Sequence, residues 1–149
     1  MAAQAEPGTL SIVAPAGVDL DAPVPGTTET AAVGAVTVVD DRAEVAPGWI
    51  ATVSATDLTT GSATGAETIP AAALAYASGP ATATSGTATF TPGQPTVDDA
   101  VGLGDPVEAF RVEDATDPTT ATWSPTLLLS VPAAAVAGAY TGTLTHSVA

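Results

Sequence analysis

Apolar and polar side chains alternate most clearly in two places. Between residues 49 and 55, Trp49, Ala51, Val53 and Ala55 fall on one side of an extended chain and Ile50, Thr52 and Ser54 on the other, because successive strand side chains point to opposite faces. Between residues 140 and 148, Tyr140, Gly142, Leu144, His146 and Val148 face one way, and Thr141, Thr143, Thr145 and Ser147 the other. Both patterns predict half-buried strands. The first strand closes the stretch VTVVDDRAEVAPGWIATVSA, residues 36–55. There an apolar run, an acidic corner with Arg42 and a Pro47-Gly48 turn lead to Trp49.

Shorter strands are predicted at residues 9–14, 33–39 and 107–112, and at 82–91, where threonine alternates with alanine up to Phe90. Residues 18–25 mix Asp19 and Asp21 with prolines, which suits an edge strand or extended loop because proline donates no ladder hydrogen bond. Residues 27–30 read as a polar lead-in, 69–77 as a short helical turn or irregular strand, and 97–106 as a surface loop. The most apolar piece is 122–131, with Trp123, Pro125, Leu127, Leu129 and Val131 on one face and Leu128 on the other, as expected of a central or covered strand. Seven to nine short strands between turn signals predict an all-β fold, an antiparallel two-sheet β-sandwich of the immunoglobulin-like kind. It is expected as a single domain over residues 9–149, after a disordered segment at 1–8.

Composition narrows the chemistry. A chain of 149 residues suits one domain, and one of this size buries about 70% of the surface its unfolded form exposes. With 0 cysteines it has no disulfide, thiolate metal site or cysteine nucleophile. The hydrophobic fraction is 46% but the aromatic fraction only 4%, so the core is expected to be built from small and β-branched side chains. Against 16 acidic residues stand only Arg42 and Arg111, giving a net charge of −14 that repels phosphate backbones and anionic headgroups. Neither nucleic acid nor membrane insertion is therefore expected. The longest apolar run, 131–140, is broken by Pro132 and Gly138 and falls short of the ~18 residues of a membrane helix. Ala3-Gln4-Ala5 ahead of Glu6-Pro7 has the small-x-small form that precedes a signal-peptidase cut, which points to export.

Candidate sites each admit two readings. Trp49 and Trp123 suit sugar stacking, since an indole offers a flat apolar face with a polar N–H edge, or they fill the gap between sheets. Tyr140 and Tyr76 carry the same alternatives. His146, the single histidine, is the only base available to a Ser-His-Asp relay. No G-x-S-x-G elbow presents a serine to it, and it shares a face with Leu144 and Val148. Catalysis is not expected. Asp40-Asp41 with Glu44, Asp98-Asp99, and Glu113-Asp114 with Asp117 offer oxygens to calcium, but none forms the Asp-x-Asp-x-Asp-Gly loop. No other cofactor is implied. Arg42 and Arg111 are each expected to pair with a neighbouring carboxylate. Without lysine or asparagine the chain forms no Lys-Asn isopeptide bond and accepts no N-glycan.

The strings VTVVDDR, PGWIATVSATDLT, TIPAAALAY and TLLLSVPAAAVAGAYTGTLTHSV, in that order, resemble the WxL-type domains of Gram-positive surface proteins, in the versions found in high-GC bacteria. The likeness covers nearly the whole chain from Thr9 onward. It implies a secreted, non-catalytic β-sandwich held non-covalently at the cell wall, with wall glycan or a surface protein as partner. Two positions depart from the family pattern: Ala51 stands where the Trp-x-Leu motif at Trp49 has leucine, and His146 occupies a strand that usually carries tryptophan or leucine there. The alternative function is a structural subunit that pairs with itself or a companion through edge strands, as a homo-oligomer or fibre component.

Overall fold

Threonine- and valine-rich runs interrupted by glycine and proline give short strands and, among the described residues, no α-helix. The structure is a computed structural model and describes residues 10–15, 17–20, 24–41, 48–62 and 64–149. The Arg42 corner, Glu44, Pro47 and residues 1–9 lie outside the described residues.

The strands, numbered β1 to β15 in chain order, form three antiparallel sheets. The first has the order β1 (Leu10–Val13), β4 (Val36–Asp40), β13 (Thr119–Trp123), β9 (Ala81–Ser85). In the second, β10 (Thr89–Pro92), β12 (Val107–Glu113), β5 (Trp49–Ala55), β15 (Tyr140–Val148), β6 (Leu58–Thr59) and β7 (Thr68–Ile69) follow one another, and β2 (Gly17–Leu20) also pairs with β15. The third runs β11 (Val101–Gly102), β8 (Leu74–Ala77), β14 (Thr126–Ser130), β3 (Thr28–Ala32). The all-β, sandwich-like packing agrees with the alternation in the sequence. It is divided among three sheets and more strands than the seven to nine expected.

The extra divisions have local causes. The apolar run at 122–131 is not one strand: the chain turns at Ser124-Pro125, so β13 joins the first sheet and β14 the third. Pro125 has no N–H to continue a ladder, and its carbonyl instead accepts from the Val33 N–H at 3.0 Å. The Thr/Ala run at 82–91 folds at Gly86, whose φ of +88° favours glycine and where a Cβ would sit 2.2 Å from the Pro118 carbonyl oxygen. Its two arms, β9 and β10, therefore enter different sheets. Residues 27–30 are not a lead-in but most of β3, paired with β14 from Thr28↔Ser130 to Ala32↔Thr126. The helical turn expected in 69–77 is present at Ala71–Ala73, but the strand that follows it, β8, is regular and paired on both sides, with β14 and β11. The loop at 97–106 contains a 3₁₀ turn, Val97–Asp99, and the two-residue β11.

The core lies where the inner faces meet, filled by Val36, Val38, Val53, Leu74, Leu129 and Leu144 around a few rings. One irregularity shapes it. The β12–β5 register shifts between Glu108 and Phe110, so the consecutive residues Ala109 and Phe110 are both fully buried. The buried Gln94 side chain seals the bulge: its Nε2 donates to the Glu108 carbonyl at 2.9 Å and its Oε1 accepts from the Ser78 N–H at 3.2 Å.

Candidate functional site

The aromatic residues singled out from the sequence converge, but inward. Trp49 opens β5 opposite Val112 of β12, and Trp123 ends β13 opposite Val36 of β4. Their rings meet across the sandwich at 6.4 Å between centroids, and Phe110 stacks on Trp123 at 4.7 Å and on Trp49 at 6.2 Å. Trp49 is 2% exposed, Trp123 and Tyr140 0%. Each polar edge is used within the protein. Trp49 Nε1 donates to Thr119 Oγ1 at 3.3 Å, and the Tyr140 hydroxyl donates to the Val136 carbonyl at 2.6 Å. Of the two readings, sugar platform or core filling, these three side chains fit the second. Burying a ring of this size outweighs anything an exposed face contributes to folding.

His146 has a different setting. It lies on the inner face of β15 opposite Val53, half-buried, with its Nε2 2.9 Å from the Tyr76 hydroxyl. That hydroxyl also accepts from Trp123 Nε1 at 3.0 Å. The imidazole Nδ1 is buried and has no hydrogen-bond partner among the described residues. Burial lowers the His146 pKa to about 4, so the ring is neutral near pH 7. Burial likewise pushes the Tyr76 hydroxyl above its ordinary range, the Trp123 N–H pulling weakly the other way. Beside His146 a recess of about 160 Å³ is lined by Ile12, Ala14, Pro15, Leu144 and Thr145. Among the described residues no serine, threonine or carboxylate hydrogen-bonds to the imidazole, and the relay Trp123–Tyr76–His146 links one strand from each of the three sheets.

The acidic pairs do not assemble. Asp40 points into the sandwich and is 6% exposed, whereas Asp41 is exposed on the other side of the chain. Asp99 is occupied by its own turn, its Oδ2 accepting from the Thr96 N–H at 3.2 Å and hydroxyl at 2.9 Å, with Asp98 exposed beside it. Asp117 accepts from the Thr87 N–H. No three His, Asp or Glu side chains come together as a metal site among the described residues. Arg111 forms the expected ion pairs: it grips Glu108 with two hydrogen bonds, 2.7 and 3.0 Å, and Glu113 with a third at 2.9 Å.

Those ion pairs border an open cleft of about 470 Å³ lined by Gly48, Trp49, Ile50, Glu113, Asp114 and Ala149. Asp114 adopts a φ of +55° there, a conformation aspartate tolerates better than most residues. The cleft's cation is engaged by Glu108 and Glu113, and Asp114 adds a further carboxylate to its lining. The sequence analysis missed Gln94 and Ser78 and the joining of Tyr76 to His146. The partners in that relay stand 47 and 70 positions apart, and no local pattern links them.

Comparison with protein-family models, curated proteins and solved structures finds no match.

Proposed function

We propose that the protein is a non-catalytic module of the bacterial cell surface that holds to wall glycan or an associated surface component through strand edges and hydroxyl-bearing sheet faces. The observation that carries this reading is the division of side chains. Every tryptophan and tyrosine is buried, while the outward row of β15 is Thr141, Thr143, Thr145 and Ser147, all exposed. Hydroxyls exchange hydrogen bonds with a polyhydroxylated partner for little net gain each, about 1 kcal/mol or less, so holding to a wall takes many contacts at once. The wall and the export route rest on the strings that resemble WxL-type domains and on Ala3-Gln4-Ala5. No helix among the described residues is long and apolar enough to cross a membrane. A second reading, the self-assembling subunit, is favoured by one uncovered strand edge described below.

Sedimentation with insoluble peptidoglycan-containing walls, with and without calcium, tests the first reading. Retention of the parent, reduced at least several-fold in the double variant Thr143→Glu, Thr145→Glu with folding intact, supports it. A wall pellet free of protein in both conditions removes it.

A further inference from the structure

The first sheet ends at β9, which pairs on one side only, with β13, from Thr120↔Ser85 to Trp123↔Ala81. Among the described residues no backbone partner stands on its other side. Thr82, Ala83, Thr84 and Ser85 are all exposed, so the strand projects past the core. Edge strands offer free N–H and C=O groups to any other chain, and proteins restrain them with charge, proline or shortness. Most of the other edges here carry such a guard. Glu29 sits in β3, Pro92 ends β10, and β7 and β11 are two residues long. Asp19 belongs to β2; β1, LSIV, is likewise uncharged, but its alternate residues are half-buried, unlike the exposed run of β9. Within β9 the sequence ATATS has no charge and no proline, Pro80 lying just before the strand.

We propose that β9 is a self-association edge. In this arrangement β9 of a second copy of the chain pairs with it antiparallel across a twofold axis, joining two four-stranded sheets into one continuous sheet. The proposal rests on the strand-edge reading above and names both the edge and its partner.

Charge singles out a second copy. Two molecules at −14 repel wherever acidic loops face each other. Across all four strands of the first sheet the only charged residue is Asp40, which is buried. Two copies therefore approach with least repulsion through this sheet. A basic partner would be drawn to the acidic loops instead. The strand is also complementary to itself: pairing centred on Ala83 sets Thr82 opposite Thr84, a favourable cross-strand pair, and no charge opposite a charge. An edge that pairs with itself across a twofold is closed, so the product is a dimer and not a fibre. Five residues bury little area, so association is weak, and salt strengthens it by screening the residual repulsion.

Sedimentation equilibrium of the full chain, over a range of protein and salt concentrations, reads this directly. The expected result is a dimer that grows with both, at least ~10-fold weaker in Ala83→Asp, which places two carboxylates face to face. Thr30→Asp on β3, an edge already bearing Glu29, leaves it unchanged. If Ala83→Asp melts below the parent, hydrogen exchange of the parent decides, because β9 amides gain protection as concentration rises only if they are paired. A dimer that a folded Ala83→Asp leaves intact overturns β9 while sparing the strand-edge reading. A monomer at every concentration overturns the second copy as partner, and the wall sedimentation then decides the surface-module reading separately.

Discussion

Burial keeps His146 and Tyr76 neutral, and pH exposes that arrangement. Above pH 6.5 neither the folded nor the unfolded chain protonates the ring, and it contributes no slope to stability. As pH falls from 6.5 towards about 4, the unfolded chain takes up the proton and the folded one does not, so stability is lost through that window and levels off below it. Partial exposure softens the effect to about 2 kcal/mol. Urea unfolding of the parent and His146→Gln across the window tests this. The parent loses stability relative to the variant as pH drops, and parallel curves would mean that the ring is solvated. Much of this role is legible in the sequence, because His146 shares its face with Leu144 and Val148. Its hydrogen-bond partner is not, since Tyr76 lies on a distant strand and only the closed sandwich brings the hydroxyl within 2.9 Å. Trp49 and Trp123 show the same limit: their alternation predicts burial, yet the chemistry of an indole suits a sugar equally well until its neighbours are in place.

At the scale of elements, contact between β5 and β12 depends on the absence of a side chain. A Cβ on Gly48, just ahead of β5, would lie 1.8 Å from the Val112 carbonyl oxygen, so Gly48→Ala has to push the strands apart. A loss of about 3 kcal/mol or more in chemical denaturation is expected, of the size reserved for disrupted cores. Gly65→Ala, where a Cβ meets nothing within 4 Å, stays within about 0.5 kcal/mol of the parent. Equal stability of the two variants would show that β5 and β12 are free to separate at that end. The period-two pattern made β5 and β15 readable because each buries one face along its length. Pro125 and Gly86 fall within runs that read as continuous strands, 122–131 and 82–91, since alternation carries on past them and only the folded chain shows where it changes sheet. The two-residue strands β6, β7 and β11 are too short for any periodicity and exist only through their partners.

Across the whole molecule, the last strand in sequence order is not at a margin. β15 lies inside the second sheet, paired with β5 along Leu144–Val148, with β6 at Thr141, and with β2 along Tyr140–Thr143. Residues near the front of the chain therefore wait for residues near 140 before they gain a ladder, and such long-range pairing folds slowly. A chain stopped at residue 139 is expected to remain protease-sensitive throughout, where the full chain resists. Resistance in the shortened chain would show that the second sheet closes without β15. For a protein exported as proposed, this order sets a timetable: the thread stays pliable until residues 140–148 emerge, and up to that point it would pass through a narrow secretion channel with no shape to lose.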